Sequence, residues 1–128
     1  MVAPDEDLRQ GEVILTQGHR LRPQDLGALA ACGIATVQVY RQLHVGILST
    51  GDEIVPLGTK NLKPGQVRDV NSYALAGHLA QLGCQVTMGG IIPDDFAKLL
   101  AATEELVQTC DLVLLSGGSS VGMLVSQP

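Results

Sequence analysis

The chain is poor in aromatic side chains. Among its 128 residues there is no tryptophan, and Tyr40, Tyr73 and Phe96 are the whole aromatic set. A core without rings must be assembled from Leu, Val, Ile and Ala, and an apolar content of 45 % supplies them. The same shortage argues against a single-stranded nucleic-acid surface, which stacks bases on aromatic rings. Basic charge is scarce too. Eight Lys and Arg stand against thirteen Asp and Glu, for a net charge of −5, and no basic cluster exceeds two residues. A nucleic-acid binder needs clustered cations to neutralise phosphates. The three cysteines, Cys32, Cys84 and Cys110, are far apart and form no Cys-x-x-Cys, which speaks against zinc. They read as reduced, mostly buried thiols of a cytoplasmic protein. No segment approaches the roughly eighteen apolar residues of a membrane span. The acidic start, Met1 to Asp7, lacks the hydrophobic run of a signal peptide.

What is present is organised in two parts: a small α+β segment over residues 1–42, and an α/β domain from residue 43 to 128. In the first, Glu12-Val13-Ile14-Leu15 reads as a short strand. Pro23 opens a helix that carries Leu26, Leu29 and Ala30 and stops at Gly33. Ile34 to Tyr40 alternates and reads as a strand exposed on one side. In the second part, Leu43 to Leu48 is a mostly apolar strand. Residues 71–82 carry Leu75, Leu79 and Leu82 on one helical face and end at Gly83. Val86 to Ile92 is a strand with a bulge at Gly89-Gly90. Asp94 can cap a helix running to about Thr109, with Phe96, Leu99, Leu100, Thr103, Leu106 and Val107 facing inward. Leu112 to Leu115 is a third strand. Alternating strands and helices with continuous apolar strands predict a parallel sheet covered on both faces, a partial three-layer αβα domain. The stretch from Thr50 to Val70 is long for a strand-to-helix connection, and such loops are usually functional or disordered.

In such sheets ligands bind beyond the carboxyl ends of the strands. Three chemistry-bearing segments leave those ends, so they should meet at one edge. Ser116-Gly117-Gly118-Ser119-Ser120-Val121-Gly122 is rich in glycine and serine. Its backbone N–H groups can line an anion site, although it is neither a Walker loop nor Gly-x-Gly-x-x-Gly, and the alternative is a tight strand-to-helix turn. Ser49-Thr50-Gly51-Asp52-Glu53 places two adjacent carboxylates where a magnesium ion could take them, or they are simply solvated turn acids. Pro93-Asp94-Asp95 offers two more acids, which a helix start alone would justify. Before the second helix, Arg68-Asp69-Val70-Asn71-Ser72 holds three capping residues that could also face a ligand. His19, His44 and His78 share no motif and read as ordinary surface or core histidines.

Taken together, four ordered motifs resemble the molybdopterin molybdenumtransferases, of the MoeA and gephyrin E-domain type. They are Leu48 to Glu53, Asp69 to Leu75, Pro93 to Asp95, and Ser116 to Gly122. The upstream stretch Asp7 to Val13 with Gly18 to Pro23 is similar to the segment that precedes this domain in the family. The resemblance implies insertion of molybdenum from molybdate into adenylylated molybdopterin, with release of AMP, a need for magnesium, and a homodimer. It implies that Asp52, Glu53 and Asp95 act in catalysis, with Asp52 and Glu53 at the metal. It further implies that Thr50, Gly51, Asp69, Asn71, Ser72, Asp94, Ser116, Gly117, Gly118, Ser119, Ser120 and Gly122 contact the substrate.

The family pattern has an acid where this chain has Val125. The resemblance covers about a third of a typical member, so the chain is expected to be a fragment without turnover of its own. Two other readings share these letters. One is a non-catalytic scaffold that binds a pterin or a partner. The other is a competence-damage-inducible domain related to nicotinamide-nucleotide amidases, although that family carries a Thr-Gly-Gly-Leu-Gly-Pro type loop.

Overall fold

The computed structural model describes residues 10–117 and, for the backbone, 120–125. It divides into two compact units, Met1–Tyr40 and Arg41–Pro128.

Among its described residues the first unit holds one helix, α1 (Pro23–Ala31), with proline at its first turn as expected. Its start is fixed by a buried carboxylate. Asp25 accepts from the backbone N–H of Arg22 at 2.8 Å and from the Arg22 guanidinium at 3.1 Å, and His19 Nε2 lies 2.9 Å away. The guanidinium first, then the backbone N–H and His19, hold the Asp25 carboxyl well below the ordinary range. Gly33 follows the helix at φ +74°, a left-handed turn that suits glycine. The strands predicted at Glu12–Leu15 and Ile34–Tyr40 are not formed. Residues 33–40 are exposed throughout. Alternation alone does not make a strand when no partner ladder takes up its N–H and C=O groups.

The second unit is built on β1 (His44–Thr50), buried at its five central positions. A continuous apolar run is what a strand covered on both faces requires. β1 pairs in parallel with β4 (Gln85–Ile92) on one side and with β5 (Leu112–Gly117) on the other. Two short strands, β2 (Ile54–Val55) and β3 (Val67–Arg68), form a separate parallel pair. The long segment between Thr50 and Val70 is therefore ordered around its own small ladder. A last strand, β6 (Ser120–Val125), runs antiparallel to β5 at the sheet edge, giving the order β4-β1-β5-β6. This corrects the reading of Ser116 to Gly122 as a loop, and with it the alternative of a strand-to-helix turn. Ser116 and Gly117 continue β5, while Ser120 and Gly122 lie in β6. The ladder runs from Gly117 facing Ser120 to Leu112 facing Val125.

Alternation along β1 assigns the two layers. Leu48 packs with Leu106 of α3 (Phe96–Val107), together with Cys110 and Val113. Its neighbour Ser49 points the other way and meets Ser72 of α2 (Asn71–Gln81). The αβα layering thus stands as predicted. The bulge is real: Ile47 faces Met88, Leu48 faces Gly90, and Gly89 is the extra residue. A Cβ on Gly89 would lie 2.5 Å from Leu48 Cδ2 and 2.8 Å from Leu106 Cδ1. Glycine is there because α3 packs directly on the bulge.

Other expectations on α3 fail. Phe96 is 81 % exposed and Leu100 45 %. The inward line runs Leu99, Ala102, Thr103, Leu106 and Val107. Phe96 stands at the first helical position. The cap is Asp95, whose carboxylate accepts from Lys98 N–H at 3.1 Å, and not Asp94. Of the thiols, Cys110 is buried and Cys84 half-buried, but Cys32 at the end of α1 is exposed. No helix among the described residues is long and apolar enough to cross a membrane.

Candidate functional site

The carboxyl ends of the parallel strands lie level. Thr50 faces Ile92 across one ladder and Gly117 across the other. The segments that leave these ends meet, as the topology predicts. Two clusters result.

The first surrounds a cavity of about 230 Å³ at the ends of β1, β3 and β5. Its frame is a buried polar network. Ser49 sits in a strand that is otherwise apolar, and only 2 % of it is exposed. A hydroxyl there must find partners inside the protein. It donates to Asp69 Oδ1 at 3.0 Å and shares a short hydrogen bond with Ser72 Oγ. The same Asp69 oxygen accepts from the Ser72 backbone N–H at 3.2 Å. Asp69 thus serves the start of α2 that Val70, without a polar side chain, leaves open. The two readings of this acid merge: it braces the helix, and it lines the cavity. Between these anchors Asn71 extends its amide to Ser116 Oγ at 3.0 Å, tying α2 to β5.

Two features of the wall suit a ligand. Thr50 Oγ1 is buried and has no hydrogen-bond partner among the described residues, a condition that native interiors rarely leave standing. Gly117 brings bare backbone to the wall, and a Cβ there would lie 2.7 Å from Thr50 Cγ2. Glu53 also lines the cavity. Its carboxylate folds back over Gly51, which has φ +142°, and would stand 2.9 Å from a Cβ at that position.

The second cluster is the exposed rim. Asp52 Oδ1 accepts from the backbone N–H of Asp94 at 3.2 Å, so these two loops touch although 42 residues apart. Asp95 is beside them but occupied as the cap of α3. Neither Asp52, Asp94 nor Asp95 lines the cavity. Among the described residues no three His, Cys, Asp or Glu side chains gather as a metal cage would need. The pair Asp52 and Glu53 offers hard oxygens, the donor type magnesium takes. That donor set fits an ion that arrives with phosphate oxygens and water, not one the protein cages alone.

Of the residues singled out from the sequence, Thr50, Glu53, Asp69, Asn71, Ser116 and Gly117 come together on the cavity wall. Ser72 stands behind the wall. Gly51 is buried next to Glu53. Gly118 and Ser119 lie outside the described residues. Two polar wall residues, Ser49 and Arg68, escaped the sequence reading as ligand-facing positions, as did the apolar Ile54, Val67 and Val70. Ser49 could have been found as the lone polar side chain in a buried strand. Arg68 was seen only as a helix-flanking residue, and it lines the cavity.

At the opposite end of the sheet, Asp111 accepts from both ends of the Arg41 fork at 2.8 and 2.9 Å and from the His44 N–H at 2.8 Å. The Arg41 guanidinium, and after it that N–H, hold the Asp111 carboxyl down at about 2. His44 bridges the Thr109 carbonyl and Thr87 Oγ1, a structural histidine as read.

Comparison with known proteins places these features. The family described as "Probable molybdopterin binding domain" matches residues 46–123. A molybdopterin molybdenumtransferase of Haemophilus influenzae is 46 % identical over 117 residues, covering 91 % of this chain and 29 % of the relative. One from Synechococcus elongatus is 38 % identical over 119 residues, covering 92 % of the chain and 30 % of the relative. The crystal structure of the molybdopterin biosynthesis MoeA protein from Pyrococcus horikoshii superposes with a TM-score of 0.73 at 40 % identity, over 82 % of this chain and 27 % of that one. The chain therefore spans about three-tenths of the length of the curated relatives it matches.

Proposed function

Because the chain belongs to the family of the molybdopterin-binding domain, we propose that its cavity holds a molybdopterin ligand. We propose further that the longer protein inserts molybdenum from molybdate into adenylylated molybdopterin and releases AMP. The observation that carries the reading is positional. The unpaired Thr50 hydroxyl, the bare backbone at Gly117 and the Asn71–Ser116 pair all lie at the carboxyl ends of β1 and β5, within the family-matched segment. A heterocycle rich in N–H and C=O groups would find donors and acceptors there, and Gly117 would let it approach the backbone closely. The names of the matched relatives support a transferase over an amidase-type domain.

The residues divide the work. The Ser49–Asp69–Ser72 network holds the wall in place, so that Asn71 and Thr50 need not reorganise when a ligand enters. Asp52 and Glu53 stand nearest the exposed rim. A magnesium ion there would take them as two ligands, with the rest from substrate phosphates, and would offset phosphate charge. Use of molybdate and assembly as a homodimer belong to the same proposal for the longer protein.

The test is a titration of the chain with molybdopterin, followed by fluorescence, beside Gly117→Val. Saturable binding by the parent sequence and its loss in the variant are expected. A parent sequence that does not bind overturns the reading. In the longer protein, Asp52→Ala should abolish cation-dependent AMP release while leaving the fold intact, because an exposed loop acid contributes little to stability. Unchanged turnover removes Asp52 from the site.

A further inference from the structure

Arg68 is the one cationic side chain on the cavity wall among the described residues, which otherwise carries the carboxylates of Glu53 and Asp69. Asp69 is held by Ser49 and Ser72, and the Glu53 carboxylate folds back over Gly51. Arg68 forms no ion pair with a described residue. Instead its Nε and Nη2 donate to one neutral acceptor, the Thr59 carbonyl, at 3.2 and 2.7 Å. That carbonyl belongs to the 56–66 connection between β2 and β3. The connection is exposed along most of its length and carries Lys60 and Lys63. A guanidinium has five N–H donors in a planar fork. Here one edge grips the connection, and Nη1 donates to no described residue.

We propose that Arg68 is a bridging residue: one edge of its guanidinium holds Thr59, and the other binds an oxyanion of phosphate type in the cavity. The inference rests on the cavity being a ligand site, as argued above, but not on the ligand being a pterin. Anion binding draws Arg68 into a charge-assisted hydrogen bond, which is shorter and stronger than its bond to a neutral carbonyl. The guanidinium is then fixed at both edges, and the 56–66 connection is fastened with it. Without Arg68 the only charged side chains on the described wall are the carboxylates of Glu53 and Asp69, and an anion is repelled. Arg68 therefore acts twice, as the anion-selecting group and as the strap that couples occupancy to the order of a neighbouring segment.

The connection carries its own reporter. Lys60 is exposed and followed by Asn61, a bond open to trypsin, whereas Lys63 precedes Pro64 and resists it. Cleavage after Lys60, followed by mass spectrometry, reads how often the connection opens. Saturating inorganic phosphate, against chloride at equal ionic strength, should slow that cleavage about tenfold, the scale of one charge-assisted hydrogen bond. AMP forms a second arm. Protection by phosphate identifies the free oxyanion as sufficient, and protection by AMP alone identifies its ester. Arg68→Ala should cleave fast with or without either anion. Arg68→Lys keeps the charge but lacks the fork, and should lose most of the protection; its thermal melt reports whether it has folded. Two results overturn the proposal: no protection of the parent sequence by either anion, or equal protection in folded Arg68→Lys. Neither result touches the molybdopterin titration, and a failed titration with intact phosphate protection would sink the pterin reading and leave the strap standing.

Discussion

Replacing Ser49 by alanine removes one oxygen atom from the most buried polar position of β1. In the parent structure that hydroxyl donates to Asp69 and pairs with Ser72. Asp69 is itself 8 % exposed, so solvent cannot replace the lost donor. The carboxylate keeps the Ser72 N–H alone at the oxygen that served both. Leaving a buried charged acceptor short of a donor costs about 1–3 kcal/mol. We take about 2 kcal/mol as the expected loss. With a urea slope of about 1 kcal/mol/M for a unit this small, the unfolding midpoint should fall by about 2 M. Domains of this size are stable by about 5 kcal/mol or more, so the variant should still fold. The decisive measurement is a cycle with Asp69→Ala. If the loss comes from the stranded carboxylate, Ser49→Ala should be nearly neutral once Asp69 is gone, with a coupling of about 1–2 kcal/mol. An equal loss in both backgrounds would show that the hydroxyl merely fills space, and a loss under about 0.5 kcal/mol would refute the network altogether.

Asp111 sets the behaviour in acid. Its folded carboxyl is held at about 2 against about 3.9 in an unfolded chain. Its stabilising contribution is thus complete above about pH 4 and drains away as the pH falls toward 2. Arg41→Gln removes the first cause of that depression, so the variant should unfold at a higher pH than the parent in an acid titration followed by circular dichroism; coincident curves would contradict the assignment. Gly89→Ala should lower stability by about 1–3 kcal/mol, since the new methyl group must displace Leu48 and Leu106 at the bulge. An unchanged thermal midpoint would mean that α3 gives way more easily than the packing suggests.

Much of the fold was legible because it repeats locally. The buried run of β1, the Gly83 stop after α2 and the double glycine of β4 each carry their signal within a few residues. What failed depended on partners elsewhere in the chain. Ile34–Tyr40 alternates as a strand should, yet no described strand lies beside it to complete a ladder. Ser120–Val125 follows glycines that suggested a loop, but β5 was available as a partner and took it. Phe96 has the right spacing for the inner face of α3, but at the first helical position it is left exposed. Periodicity gives the face of an element; only the neighbouring layer decides how far along that face burial extends.

The site obeys the same division, and the consequence reaches its chemistry. The motifs marked the right segments, because topology alone brings the carboxyl ends of parallel strands together. They could not say which acid does what. Asp69, Asp94 and Asp95 all stand beside helix starts, and by spacing any of them could be a cap or a ligand. In the structure Asp95 caps α3, Asp69 braces α2 from inside the wall, and Asp94 lends its N–H to Asp52. A carboxylate bound into a helix start, as Asp69 and Asp95 are, is poorly placed to serve a cation as well. On the proposed reading Asp52 on the rim and Glu53 at the cavity serve the cation, while the rest of the wall works through hydroxyls, an amide and one guanidinium. Electrostatic division of this kind separates the place where charge is balanced from the place where a ligand is recognised. It predicts that wall variants such as Gly117→Val act on binding, and rim variants such as Asp52→Ala on turnover. A wall variant that spares binding and abolishes turnover would break that separation.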